Sequence, residues 1–225
     1  MANYLKKIPL FSLLDDEELE AIYKQSSTKQ YPKNNFIILE NDEGDTLYII
    51  LKGKVKVTKI FETGDEIILS VLDKGNFFGE MSLLDGKPRS ANVVTLEDTT
   101  LRVINRHDFE NFLEMHPKIA LKLLRELTSR LRKADERIGS LAHLNVTGRI
   151  ADFLIQLANE RGESSQEGIV IKSRPRLQDI ANTIGTKRET VSRILKQLET
   201  KRYIRIIGKD IILLEVDIFR QTVNL

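Results

Sequence analysis

The chain of 225 residues contains no cysteine. That excludes disulfides, thiol redox sensing and cysteine-ligated iron–sulfur clusters. Its three histidines, His107, His116 and His143, show no metal-ligand spacing. Surface or capping roles are their plain reading, and no metal is expected. No apolar run reaches the roughly 18 to 20 residues a membrane span needs, so no membrane partner is expected. The opening Met-Ala-Asn-Tyr-Leu-Lys-Lys-Ile-Pro is not expected to act as a signal peptide, because its apolar stretch is short and broken by charge. The cytoplasm is the default location. Repeats and low-complexity tracts are missing. So is any nucleophile–base pair, metal cluster or nucleotide-hydrolysis loop, which argues against an enzyme.

What is present is unevenly distributed charge. The net charge is +2, but residues 1–144 hold 21 Lys/Arg against 23 Asp/Glu, whereas residues 145–225 hold 14 against 10. Between Lys172 and Arg205 the excess steepens to ten against three. A basic C-terminal part behind a slightly acidic N-terminal one points to a polyanion partner for the C-terminal part alone.

The hydrophobic periodicity divides the chain in three. Residues 15–24 read as a helix, with Asp15 as cap, Glu18 three residues on, and Leu19 and Ile22 inward. From about Gln30 to Arg106 the period becomes two. Leu47–Leu51 is a strongly apolar strand, and Lys54–Lys59 alternates between a buried and a solvated face. Residues 66–72 and 91–95 are further strands, and Gly44, Gly53, Gly64, Gly75 and Gly86 fall at turn spacing. Many short strands divided by glycine turns predict a sandwich or jelly roll.

Pro117 then opens a long helix to about His143. Ala120, Leu124, Leu127, Leu131, Ala134, Ile138 and Leu141 alternate by four and three, a heptad seam on a rod otherwise dense in charge. A parallel two-helix homodimer fits this pattern better than a helix packed on its own domain. Asn145 caps a following helix to about Asn159, which makes 142–145 a hinge. Residues 161–168 read as a polar loop and 169–172 as a short strand. Leu177, Ile180, Ala181 and Ile184 mark the first helix of a helix-turn-helix, Gly185 the turn, and 187–198 the second helix. The runs 204–207 and 211–214 flank Gly208-Lys209-Asp210 as a wing. The domains expected are 1–116, a β-roll; 117–144, a dimerisation helix; and 145–225, a winged helix-turn-helix, in an α+β chain.

Two constellations carry chemistry. In the first, Phe78-Gly79-Glu80-Met81-Ser82-Leu83-Leu84 precedes Arg89-Ser90-Ala91. Gly79 allows close backbone approach, and the helical turn after it offers N–H groups to an anion. Arg89 supplies a fork for phosphate oxygens, Ser90 a hydroxyl, and Glu80 an acceptor for a ribose hydroxyl. An Arg89–Glu80 ion pair in an empty roll is the competing reading. In the second, residues 187–198 bury Val191, Ile194, Leu195 and Leu198 and present Arg188, Glu189, Ser192, Arg193 and Lys196. Arginine can grip guanine O6 and N7, and glutamate can accept from cytosine N4. Thr186 and Glu189 also match a capping box, so Glu189 could serve only the helix start. Lys187, Thr190, Arg176 and Lys209 suit phosphate contacts, which position a protein without reading sequence.

The segment Gly-Glu-Met-Ser-Leu-Leu…Arg-Ser-Ala resembles the phosphate-binding cassette of cyclic-nucleotide-binding domains, and Gly44–Val55 resembles a strand pair of the same domain. Leu144–Ile150 and Gly185–Leu198 resemble the hinge and recognition motif of the cyclic AMP receptor protein and FNR family of bacterial regulators. The resemblance covers about residues 8–215. It implies that Glu80 holds a ribose 2′-hydroxyl, that Arg89 and Ser90 hold the cyclic phosphate with backbone donors around Gly79 and Met81, and that Arg188, Glu189 and Arg193 read base edges. It further implies a homodimer on palindromic double-stranded DNA with TGTGA-like half-sites, RNA polymerase as a partner, and cyclic AMP as effector without an obligatory cofactor. One departure is local. Where the cyclic AMP receptor has two adjacent hydroxyl residues against adenine, this chain has Ala134 and Asp135, and Asp135 could accept from adenine N6 or guanine N2. Cyclic GMP, a cyclic dinucleotide or no effector are the alternatives, with a regulatory subunit of an enzyme as the reading from another class.

Overall fold

The computed structural model describes residues 5–6 and 8–214. It divides into two compact units, the first ending at Leu131 and the second beginning at Arg132.

In the first unit, helix α1 (Asp16–Gln25) starts on a complete capping box: Asp15 accepts from the Glu18 N–H and Glu18 from the Asp15 N–H, both at 2.8 Å. Eight strands follow: β1 (Ser27–Tyr31), β2 (Phe36–Ile38), β3 (Thr46–Lys52), β4 (Lys54–Ile60), β5 (Glu66–Asp73), β6 (Phe77–Phe78), β7 (Asn92–Thr95) and β8 (Thr99–Asn105). They form two antiparallel sheets, ordered β1-β8-β3-β6 and β2-β7-β4-β5, the two leaves of the expected roll. The unbroken apolar run of β3 has a physical reason. Its alternate residues serve two cores: Leu47 and Ile49 face the helices, and Tyr48 and Ile50 face the other sheet. A strand covered on both sides cannot show polar alternation.

Strand β4 departs from its sequence pattern. Thr58 is buried and Val57 only half-buried, and at this point the register against β5 shifts: Val57 faces Ser70 and Thr58 faces Ile68, so Leu69 of β5 is the extra residue of a bulge. Thr58 survives there because its hydroxyl donates to the Ile67 carbonyl at 2.8 Å. Two short helices also belong to this unit: α2 (Glu80–Asp85) and α3 (Arg106–Met115), the latter capped by Asn105 and not marked by the strand–glycine pattern.

Helix α4 (Pro117–His143) is about 40 Å long at 1.5 Å per residue. Its first turns bury Ile119 and Leu123 against the roll, and Leu127 is partly buried on the same core. Leu124, Leu131, Ile138 and Leu141 are exposed, at 47–65% of their surface, as are Ala134 and Asp135. The helix therefore carries two apolar stripes: one, at its start, packs inside the first unit, and the other runs along the heptad positions.

In the second unit, α5 (Val146–Arg161) is capped by Asn145, whose side chain accepts from the Gly148 N–H. Helices α6 (Leu177–Ile184) and α7 (Arg188–Thr200) flank Gly185, at φ 69°. A four-stranded sheet of order β11-β12-β10-β9 completes it: β9 (Glu163–Ser165), β10 (Gly168–Ile171), β11 (Ile204–Ile207) and β12 (Asp210–Leu213). Strand β9 lies where the polar composition reads as loop. All three of its residues are exposed, and it pairs through its backbone with β10, so side-chain hydrophobicity could not mark it. The described residues end before the last eleven positions of the domain expected over 145–225.

Candidate effector site and nucleic-acid interface

Arg89 is 5% exposed, yet no carboxylate lies within ion-pair distance of it among the described residues. Its fork is held by neutral oxygens instead. Nη1 donates to the Gly79 carbonyl at 2.8 Å, and Nη2 to the Thr46 carbonyl and hydroxyl at 2.9 and 3.0 Å. Nε has no protein acceptor among the described residues. Burial lowers the affinity of this guanidinium for its proton, opposed by the negative charges of Asp45 and Glu80 farther off. A buried cation without a counter-charge at ion-pair distance is costly, and an incoming anion would relieve that cost.

Two glycines make room for the guanidinium. A Cβ on Gly44 would stand 2.1 Å from Nε and 2.4 Å from Cζ. One on Gly79 would stand 2.8 Å from Nη1 and 2.8 Å from the Thr46 carbonyl, and Gly79 also has φ +86°. Arg106 fixes the surrounding backbone, donating to the carbonyls of Gly44, Ser82 and Leu83 at 2.8–3.0 Å.

The competing Arg89–Glu80 ion pair does not form. Glu80, 5% exposed, pairs with Arg130 of α4 at 3.1 Å. Arg130 also donates to the Phe77 carbonyl at 2.8 Å and to Glu126 at 3.1 Å, and its guanidinium stacks 4.5 Å from the Phe77 ring centre. Burial raises the Glu80 pKa against the pull of Arg130 and Arg89. With the folded-state pKa above the unfolded value, the native state holds the extra proton between the two. Glu80 therefore costs stability as pH rises through that window. Ser90 is exposed, and its hydroxyl lies 3.4 Å from the sulfur of Met81, itself 52% exposed. Thr46, Gly44, Arg106 and Arg130 are the participants that sequence reading misses. In the sequence Arg130 is one charge among many along α4, and nothing separates it from the others.

The second constellation looks different. Helix α7 buries Val191, Ile194, Leu195 and Leu198, all at 3% exposure or less, and leaves Arg188, Glu189, Ser192, Arg193 and Lys196 exposed. No hydrogen bond or ion pair engages the side chains of Arg188, Glu189 or Arg193 among the described residues. The Thr186–Glu189 capping box does not form: the N-cap is Lys187, one residue later, with no side-chain cap. Helix α6 likewise starts at an N-cap, Arg176, without a side-chain bond. Uncapped helix starts leave N–H groups free for outside acceptors. Lys187, Arg176 and Lys209 are exposed, Thr190 is half-buried, and Lys209 sits on the β11–β12 turn. Part of the basic excess is neutralised internally, because Lys172 pairs with Glu163 and Arg205 with Glu167, each at 2.5 Å.

Both parts of the chain match known domains. Residues 28–116 match the cyclic nucleotide-binding domain, and residues 148–222 match the Crp-like helix-turn-helix domain. The cAMP-activated global transcriptional regulator CRP of Salmonella typhimurium is 36% identical over 199 residues, covering 88% of this chain and 94% of that protein. A CRP-like cAMP-activated global transcriptional regulator of Mycobacterium tuberculosis is 30% identical over 215 residues, 95% of each chain. Among solved structures, a CooA mutant from Carboxydothermus hydrogenoformans superposes with a TM-score of 0.84 at 23% identity, covering 94% of each chain, a likeness of fold. The chain belongs to the cyclic AMP receptor protein and FNR family of bacterial transcription regulators.

Proposed function

We propose that the chain is a homodimeric regulator that binds an inverted-repeat operator and is controlled by a cyclic nucleotide, cyclic AMP in the first instance. The observation that carries the effector reading is Arg89: buried, without a carboxylate partner, and cradled by two glycines. In this reading Arg89 and Ser90 hold the cyclic phosphate beside Gly79 and Met81, and Glu80 takes the ribose hydroxyl. That hydroxyl competes with Arg130 for Glu80, so effector binding alters a contact of α4. Asp135 can accept from adenine N6 or guanine N2, which makes cyclic GMP the second reading. Calorimetric titration of a nucleotide panel against nucleotide-stripped protein tests this. Cyclic AMP should bind; binding by another cyclic nucleotide alone, or by none, overturns the choice.

On the DNA side, Arg188, Glu189 and Arg193 read G·C pairs in TGTGA-like half-sites, while Lys187, Thr190, Arg176 and Lys209 contact phosphates. The domains act as a roll over 1–116, a dimerisation helix over 117–144 and a winged reader over 145–225. RNA polymerase is the protein partner, the cytoplasm the location, and catalysis no part of the role. No helix among the described residues is long and apolar enough to cross a membrane. Arg188→Ala should cost about 1–3 kcal/mol of operator binding and relax specificity at one base pair. A binding assay over all substitutions in one half-site checks it; uniform weakening would make Arg188 a phosphate contact.

The Gly44 contact yields a separate prediction. Gly44→Ala should weaken cyclic-nucleotide binding at least about tenfold, because the new methyl group displaces the pinned guanidinium, at an overpacking cost of about 1–3 kcal/mol in stability. Calorimetry and thermal unfolding of the same sample separate the two effects.

A further inference from the structure

The carboxyl end of α6 is held from outside the helix-turn-helix. The last four carbonyls of a helix have no partner within it. In α6 the Ala181 carbonyl takes the N–H groups of Gly185 and Thr186, the latter at 3.0 Å. The final two are taken by arginines. Arg137 of α4 donates Nη2–H to the Thr183 carbonyl. Arg149 of α5 donates Nε–H to the Ile184 carbonyl at 3.0 Å and Nη1–H to the Leu144 carbonyl at 3.0 Å.

Cations at a helix C-terminus also answer its negative dipole end. Arg137 is half-buried, and that desolvation lowers its pKa. Gly185, in the left-handed region, follows at once, and α7 starts three residues later at Arg188. The last turn of α6 therefore sets where α7 begins. Arg137 is not on the recognition motif and is not among the DNA-contact residues named above. It sits on the helix that, two turns earlier, holds Glu80 through Arg130.

We propose that Arg137 is a positioning residue for DNA recognition: its bond to Thr183 ties the last turn of α6, and with it the start of α7, to α4. This rests on the DNA-binding reading above. Arg149 supplies the adjoining tie from α5. Losing the α4 tie loosens α7 and lowers operator affinity without removing a DNA contact.

The test compares the full chain with its Arg137→Gln and Arg137→Lys variants by hydrogen exchange without nucleotide and by binding to an inverted-repeat duplex with cyclic AMP across a salt series. In Arg137→Gln the amides of residues 185–191 should exchange about tenfold faster, in the lower part of the range for coupling between sites. The amides of β10–β12 should be unchanged. Operator affinity should fall by a similar factor while the slope of affinity against salt stays constant. Arg137→Lys, which keeps the charge, should recover part of both. Unchanged exchange at 185–191 overturns the proposal. A salt slope reduced by about one makes Arg137 a phosphate contact and also overturns it. Faster exchange throughout the second unit reduces Arg137 to a general stabiliser, and the proposal falls in that case too. Wild-type protein that binds no inverted repeat defeats the DNA reading itself, which the control duplex reports separately from the exchange data.

Discussion

Arg89→Gln should reduce cyclic-nucleotide affinity at least about a hundredfold and make DNA binding indifferent to the nucleotide. The effect is electrostatic. Arg89 is buried with no ion pair among the described residues, so its charge is available to an anion in a site of low effective dielectric. Truncating one partner of a buried, hydrogen-bonded charge pair costs about 2–5 kcal/mol. Glutamine keeps a donor for Thr46 or Gly79 but loses the charge and the fork. Stability should change little, because removing an unneutralised cation offsets the lost bonds to neutral carbonyls. Calorimetry with cyclic AMP, beside a melting curve, measures both. Retained affinity would move the phosphate elsewhere.

The double substitution Leu131→Glu with Ile138→Glu should yield a folded monomer that no longer holds an inverted repeat. These residues are 62% and 65% exposed, with Leu124 and Leu141 on the same heptad track. A row of exposed apolar side chains at heptad spacing on an otherwise charged helix fits an interaction site. In the proposed dimer each helix would present a glutamate to its counterpart at two levels of the seam, and like charges there oppose association. Linking two half-site readers raises avidity by about 10²–10⁴ over one, so a monomer should lose most of its operator affinity. Sedimentation and anisotropy with a duplex check the two parts. A variant that stays dimeric would place the interface off this seam. The Ile119 and Leu123 stripe is a built-in control: it packs inside the first unit, so charge there should unfold the roll.

The elements that were legible in the sequence are those whose signals are local. The Asp15–Glu18 box, the Asn145 cap, the Gly185 turn and the apolar face of α7 all depend on residues within a few positions of one another. The bulge at Leu69 of β5 was not legible, since it depends on the pairing with β4. Strand β9 was not, because its three residues are exposed and polar and its ladder with β10 is made by backbone, which leaves no apolar signal. At the effector site, the glycines and Arg89 stand out in the sequence, but what they hold does not. Thr46 reaches Arg89 from 43 positions away, and Arg130 reaches Glu80 from 50. Such pairings are products of topology, which brings β3, α2 and α4 together. The Thr186–Glu189 box failed for the opposite reason: a local pattern was present, but α7 starts one residue too late to use it.

The most direct measurement is the affinity of the purified, nucleotide-stripped chain for a TGTGA-type inverted repeat at fixed moderate salt, with and without cyclic AMP. Tighter binding with the nucleotide, at one dimer per duplex, is the expected outcome. Equal binding in both conditions would remove cyclic AMP as the controller, and a monomer that ignores the duplex with every nucleotide tried would contradict the account as a whole.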